Sequence, residues 1–237
     1  MARNWGVTIT WLGHASVLYA DAKGRRFAVD PWIDGNPASP PAAKAIDRLD
    51  ALFVTHGHGD HFSDVMPLAA KHHPDIVSNH EISVYLGRKG VEKAHGMNKG
   101  GSIEVAGVRA TMVHAIHSSS IAEGDALLYG GEPCGYVFEF EGGVRVYHAG
   151  DTGIFGDMKL IGELYEPRIA VLPIGDLYTM GPYEAAAAAR MLGVTAVVPI
   201  HHGTFPALTG TPEALRAELR DRPEIEVVAL KPGESAS

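Results

Sequence analysis

The sequence predicts an α/β fold in which two mixed β-sheets are covered by helices on their outer faces, a four-layer αββα sandwich. Two observations lead to this expectation. Short β-rich runs joined by glycine turns indicate antiparallel hairpins. Later β-rich runs alternate with helix-like segments, which is typical of parallel crossover units. Two sheets with helices outside them accommodate both patterns.

The β-rich runs form two series along the chain. Glycine turns at 21–24, 106–107 and 141–143 join neighbouring runs as hairpins. The first series comprises residues 7–11, 16–19, 27–30, 51–55, 76–78, 102–105 and 109–114. The second series comprises residues 134–140, 144–148, 170–173, 196–200 and 226–229.

Helix-like segments lie between these runs, at residues 63–72, 81–89, 157–164, 182–192 and 212–220. Three of them have start signals: Ser63 or Asp64 before the first, Pro182 as a first helical residue, and Thr211 before Pro212. The segment 182–192 contains five consecutive alanines, which favour a helix with a slim face that can pack closely on a sheet.

The chain of 237 residues has the length of one large domain or two small ones. No linker rich in Pro, Gly or Ser separates two halves, so we expect a single domain over residues 1–237. Two segments, 34–43 and 118–132, read as loops. Either they are plain surface connections, or they border a site, because binding groups concentrate in such loops.

Charge and composition exclude several classes of function. Twenty Lys and Arg against 28 Asp and Glu give a net charge of −8, so we expect a small-molecule partner and no nucleic acid. No run reaches the 18 apolar residues of a membrane span, and residues 1–6 show no signal-peptide core. Cys134 is the only cysteine, which fits a reducing cytoplasm, and a homo-oligomer is left open.

The thirteen histidines include a dense group at residues 55–61, with the sequence THGHGDH. His56, His58, Asp60 and His61 are ligand-type side chains separated by glycines, which permit unusual backbone angles that turn these side chains to one point. Three imidazoles and a carboxylate suit zinc, manganese, iron or nickel. A solvated histidine-rich loop or an affinity tag does not explain a motif that lies mid-chain after an apolar run.

The motif H-x-H-x-D-H after a β-strand resembles the metallo-β-lactamase superfamily. Four further blocks are similar to one subgroup, the uncharacterised metal-dependent hydrolases related to L-ascorbate-6-phosphate lactonase. They are WLGHAS at 11–16, VDPW at 29–32, TMGP at 179–182 and PIHHGTF at 199–205. The resemblance extends over nearly the whole chain and implies the αββα fold of that superfamily.

The resemblance also implies a ligand set for two metals. His56 and His58 would bind the first metal with a third histidine about 60 residues further on, which is either His114 or His117. Superfamily members place this ligand on the turn after a strand, before small or polar residues, which favours His117. His114 would then either support a ligand or simply pack in the sheet.

Asp60 and His61 would bind the second metal with His201, although the adjacent His202 is an alternative. Asp151 matches the aspartate that bridges both metals. Candidate hydrogen-bond partners of these ligands are Asp30, His14 and Thr152.

The resemblance implies a hydrolase that binds two divalent metal ions. Zinc is the preferred metal, and manganese, nickel and iron are the alternatives. A hydroxide shared by the metals would attack a small ester-type bond, a phosphodiester or a lactone. Asp60 is the residue that we assign to catalysis as well as to metal binding. The alternatives are a metal-dependent nuclease and a metal-stabilised binding module without activity. A di-iron redox enzyme is disfavoured, because His58 stands where those proteins carry a carboxylate.

Overall fold

The computed structural model describes residues 5–237 and contains two seven-stranded sheets. Residues 1–4, which belong to the amino-terminal stretch and to the domain expected over 1–237, lie outside the described residues. Both sheets combine antiparallel and parallel strands, which confirms the fold class predicted from the sequence.

The first sheet has the strand order β16-β1-β2-β3-β4-β5-β6. Its strands are β1 (Val7–Gly13), β2 (Ser16–Asp21), β3 (Arg26–Val29), β4 (Ala51–Phe53), β5 (Asp75–Asn79), β6 (Ala94–Met97) and β16 (Ser235–Ala236). Strands β1 to β3 pair antiparallel, and β3 to β6 pair parallel. The last strand returns to the first sheet and pairs antiparallel with β1.

The second sheet has the order β15-β14-β13-β12-β11-β8-β7, and a separate hairpin pairs β9 with β10. These strands are β7 (Ser102–Val105), β8 (Val108–His114), β9 (Ser120–Glu123), β10 (Ala126–Tyr129), β11 (Cys134–Glu139), β12 (Arg145–His148), β13 (Ile169–Pro173), β14 (Ala196–Ile200) and β15 (Glu226–Val227). Strands β7, β8, β11 and β12 pair antiparallel, and β12 to β15 pair parallel.

Helices cover the outer face of each sheet. They are α1 (Gly59–Phe62), α2 (Val65–His72), α3 (His80–Arg88), α4 (Met158–Tyr165), α5 (Pro182–Leu192) and α6 (Pro212–Glu218), with a short 3-10 helix at Pro41–Ala45. One apolar cluster lies between the two sheets. A second lies between the second sheet and its helices, and a third between the first sheet and its helices. Three apolar layers between four structural layers give the αββα order. No helix within residues 5–237 has both the length and the apolar surface of a bilayer-crossing segment.

Each β-rich run and each helix-like segment expected from the sequence corresponds to an observed element. Five features were not predicted: the 3-10 helix, α1, β6, the β9–β10 hairpin and β16. The hairpin lies inside the expected loop 118–132, and the 3-10 helix overlaps the expected loop 34–43. Strand β6 (AHGM) lacks β-branched residues, and β16 has two residues that pair only because β1 offers an edge.

The alanine-rich α5 packs so closely on α4 that a glycine is required between them. A Cβ atom at Gly162 would lie 2.7 Å from the carbonyl oxygen of Leu192 and 2.8 Å from that of Met191. Gly87, which is also helical, would meet nothing within 4 Å.

We therefore expect Gly162→Ala to lower the free energy of unfolding by about 1–3 kcal/mol, because backbone atoms of α5 must shift. Gly87→Ala is the matched control and should raise the free energy of unfolding by about 0.5 kcal/mol through helix propensity. Urea denaturation followed by far-UV circular dichroism measures both. Equal effects of the two substitutions would contradict this account of the α4–α5 contact.

Candidate metal centre

Six strands end at one edge of the sandwich, where the sequence-predicted site residues are found. Within each sheet these strands run in the same direction, so their carboxyl ends meet. The residues that follow them are His14 after β1, Asp30 after β3, His56 after β4, His117 after β8, Asp151 after β12 and His201 after β14. The backbone N–H of His201 donates to the carbonyl oxygen of His14 at 2.8 Å, which joins the two sheets at this edge.

The first group of candidate ligands consists of His56, His58 and His117. One ring nitrogen from each lies within 4.8 Å of the others. Nε2 of His56 is 3.1 Å from Nδ1 of His58, and the rings of His58 and His117 have centroids 5.1 Å apart. Three imidazoles that converge in this way form a neutral nitrogen donor set, which suits a borderline cation such as zinc.

The second group consists of His14, Asp60, His61 and His201, whose ligand atoms also lie within 4.8 Å of one another. Oδ2 of Asp60 is 3.9 Å from Nε2 of His61 and accepts a hydrogen bond from Nε2 of His14 at 2.9 Å. Nδ1 of His14 is in turn 2.9 Å from the Thr204 hydroxyl. This group therefore offers mixed nitrogen and oxygen donors.

Asp151 lies between the two groups. Its Oδ2 is 3.2 Å from Nε2 of His61 and 3.1 Å from Nε2 of His201. The same oxygen is 3.6 Å from Nε2 of His117, in the first group. One carboxylate thus reaches donor atoms of both groups.

A buried carboxylate, Asp30, orients the histidines from behind. Its Oδ2 is 2.8 Å from Nδ1 of His61 and accepts from the Thr55 hydroxyl at 2.5 Å. Because the Thr55 hydroxyl donates to Asp30, it accepts from Nδ1 of His56, which is 2.9 Å away. Nδ1 of each ring therefore carries a proton, which leaves Nε2 as the atom that can ligate a metal.

The electrostatics of the centre favour a cation. Burial lowers the pKa of His56, His58 and His117, so these imidazoles are neutral and can ligate. Burial raises the pKa of Asp151, but His201 and His61 outweigh it and hold the pKa well below the usual value. Burial lowers the pKa of His61, but Asp151 and Asp30 outweigh it and raise the pKa well above the usual value, so this carboxylate pair holds positive charge at the place where a cation would bind.

Unsatisfied atoms provide the test of whether a metal fits here. Nε2 of His61 and Oδ1 of Asp151 are buried and have no hydrogen-bond partner among the described residues. Buried polar atoms in folded proteins are nearly always satisfied, so unpaired ligand-type atoms on two neighbouring candidate ligands indicate a missing partner. Nitrogen and carboxylate donors in this arrangement fit divalent transition metals.

All seven predicted ligands are brought together, and the alternatives lie elsewhere. His114 is exposed, with Nδ1 3.0 Å from Nζ of Lys99 and its ring against Phe155. His202 stacks on Trp11 with ring centroids 4.7 Å apart. These placements favour His117 and His201 over their neighbours, although the ligand assignment itself stays a prediction.

Two of the three residues expected to hydrogen-bond to the ligands do so directly, and the third does not. Asp30 and His14 contact the ligands directly, as described above. Thr152 acts through the backbone instead, since its hydroxyl accepts from the N–H of Ile116, next to His117, at 2.9 Å. Cys134 is buried, and burial raises the pKa of its thiol to about 12, so it is not a nucleophile.

Two features of the centre were missed or misinterpreted in the sequence. Thr55 and Thr204 position His56 and His14, and only their place beside histidine-containing motifs could have indicated them. Neither Gly57 nor Gly59 has a positive φ, so unusual backbone angles are not why the motif contains glycine. A Cβ atom at Gly57 would instead lie 2.9 Å from the Ser120 carbonyl oxygen, so Gly57 leaves room for β9.

Comparison with known proteins supports the family resemblance that the sequence motifs indicated. A family profile described as the beta-lactamase superfamily domain matches residues 25–202. A UPF0173 metal-dependent hydrolase of Koribacter versatilis is 48% identical over 233 residues, covering 98% of both chains. Another of Rubrobacter xylanophilus is 50% identical over 231 residues, covering 97% of this chain and 96% of the relative.

Among solved structures, Igni18, described as a novel metallo hydrolase from the hyperthermophilic archaeon Ignicoccus hospitalis, is similar over 97% of both chains. The TM-score is 0.85 at 34% sequence identity. The sequence motifs, the two-sheet fold and these relatives agree. The chain therefore belongs to the metallo-β-lactamase superfamily and is a metal-dependent hydrolase of the UPF0173 kind.

Proposed function

We propose that this hydrolase holds two divalent cations and cleaves a small ester-type bond, a phosphodiester or a lactone. Zinc is the first choice of metal, with manganese, nickel or iron as alternatives. One observation carries the proposal: Oδ2 of Asp151 lies 3.1–3.6 Å from imidazole nitrogens of both ligand groups. A carboxylate in this position can ligate two cations at once.

Each group of ligands would hold one cation. His56, His58 and His117 would bind the first, and Asp60, His61 and His201 the second, with Asp151 shared. Bound divalent cations lower the pKa of water and offset negative charge on the oxygen atoms of a reacting ester. The tautomers of His56 and His61, fixed through Thr55 and Asp30, keep Nε2 available for ligation.

The side chain of Asp60 is partly exposed, as are those of His58 and His117. Burial raises the pKa of Asp60, but the hydrogen bond from His14 and the charge of His61 outweigh it and lower the pKa. Asp60 is therefore ionised, with Oδ2 held by His14. We propose that Asp60 orients the reacting group from the open side while it ligates the second cation.

We also propose a small-molecule substrate and a cytoplasmic location. The net charge of −8 disfavours a long polyanion, which speaks against the nuclease alternative. The buried thiol of Cys134 has no disulfide partner, as is usual in reducing compartments. A partly exposed ligand such as Asp60 disfavours a purely structural metal site, since structural sites are closed.

The metal content provides the first test. We expect protein purified without chelator to contain two equivalents of transition metal by mass spectrometry. His117→Ala should weaken binding of one equivalent by about 100-fold or more, because a direct ligand is lost. His114→Ala, three residues away at the exposed carboxyl end of β8, should leave the content unchanged.

Protein without bound transition metal, or equal metal loss in His117→Ala and His114→Ala, would contradict the assignment. The same preparations should hydrolyse γ-valerolactone or bis(p-nitrophenyl) phosphate, and chelation should abolish the activity. A metal-loaded protein that cleaves neither compound would favour the non-catalytic binding module.

His14 provides a second test, because it donates a hydrogen bond to the second-metal ligand Asp60 and contacts none of the ligands of the first metal. We expect His14→Ala to weaken the second metal equivalent by about 10–100-fold and leave the first unchanged. His14→Gln should retain much of the affinity, since its amide can still donate to Oδ2 of Asp60. Competition with a chromophoric chelator measures both affinities, and no difference between Ala and Gln would contradict the role.

A further inference from the structure

The loops that border the metal centre contain no lysine and no arginine. This holds for residues 54–64, 115–133, 149–157, 174–181 and 201–211. Lysines that reach the rim loops from neighbouring elements are paired with acids there. Lys99 lies 2.8 Å from Glu132, and Lys89 contacts Glu123.

Exposed apolar side chains lie on the same loops. We call five of them the apolar arc: Ile116, Ile154, Leu177, Tyr178 and Phe205. The β9–β10 hairpin carries three more, Leu127, Leu128 and Tyr129, which are not counted in the arc. Solvent-exposed large apolar side chains that share one rim are more informative than scattered ones.

Backbone hydrogen bonds tie these loops to one another around the centre. The N–H of Gly153 donates to the Ile116 carbonyl at 2.9 Å, and that of Met180 donates to Thr152 at 3.0 Å. The N–H of Gly210 donates to Gly175 at 3.3 Å. Ile116 is also adjacent to His117 in sequence. The loops that carry the arc are therefore joined to one another through their backbones beside the candidate ligands.

One ring contact connects the arc to the centre, and one strained turn lies on the same loops. The ring of Phe205 lies 5.7 Å from that of His14, which holds Asp60. Leu177 has a φ of +56°, directly after Asp176 with a φ of +67°. A bulky residue rarely adopts this conformation, and such strain concentrates at functional sites.

We propose that the substrate is an uncharged ester or lactone with an apolar substituent, which packs on the arc while the ester group faces the metals. This inference rests on the proposed function. A phosphate or carboxylate on the substituent would lose water beside apolar side chains without gaining a charged partner on these loops. The inference concerns the substituent, because the charge of a phosphodiester would lie at the atoms that contact the metals. Lactones are the uncharged members of the two bond types considered above, and the test below uses them.

Ketone analogues that cannot be hydrolysed test the arc directly. Calorimetric titration of the metal-loaded protein should show that affinity for 2-alkylcyclopentanones rises about fourfold for each added methylene, up to hexyl. The analogue with a carboxyethyl chain should bind more weakly than 2-butylcyclopentanone. Hydrolysis should follow the same order, with γ-decalactone turned over at a higher kcat/KM than γ-valerolactone.

Leu177→Ser should lower the affinity for 2-hexylcyclopentanone about tenfold and leave cyclopentanone binding unchanged. Leu164→Ser is the matched control, because Leu164 on α4 is 63% exposed and Leu177 is 64% exposed. Leu177→Lys should reverse the preference and improve binding of the carboxyethyl analogue.

Affinity that does not depend on chain length, or tighter binding of the carboxylate by the unmodified protein, would overturn the inference. So would a dimer that Leu177→Ser converts to a monomer in light scattering, since the arc would then be an interface between copies. Binding of the alkyl ketones without hydrolysis of any lactone would leave the apolar site standing and reject the proposed hydrolysis.

Discussion

The carboxylate of Asp30 is the constraint on which the metal centre depends. It is completely buried, and it accepts hydrogen bonds from the backbone N–H and the hydroxyl of Thr55 at 2.7 Å and 2.5 Å. Its third partner is Nδ1 of His61 at 2.8 Å. A buried carboxylate without partners is very costly, so these three contacts fix both the end of β3 and the start of the histidine motif. The directions of His56 and His61 follow from this arrangement.

A backbone hydrogen bond also joins the two sheets at the centre, and three residues there have strained backbone angles. His14, Asp30 and His201 have φ values of +54°, +49° and +55°, in the left-handed region that non-glycine residues avoid. Strain of this kind persists only where surrounding contacts over-determine it. The hydrogen bond between His201 and His14 provides such a contact, because it links a strand end of one sheet to a strand end of the other.

The fold and the histidine motif could be predicted from the sequence, because strand alternation, glycine turns and helix starts depend on only a few neighbouring residues. Long-range contacts were not readable in this way. His14 meets Asp60 across 46 positions, and β16 pairs with β1 across the whole chain. The spacing alone left His114 and His117 open, because the side on which each side chain lies depends on how β8 pairs with β11. The role of Gly57 depends on β9, which was itself unpredicted.

The ligand set and the rim carry different kinds of information about the substrate. Buried hydrogen bonds fix the ligands, and bound cations offset charge only at the atoms that they contact. A charge elsewhere on the substrate lies several ångströms further out, where solvent and salt weaken the attraction of the metals. Selectivity for such a charge must therefore come from side chains on the rim loops, which is why their lack of Lys and Arg bears on the substrate more than the metal ligands do.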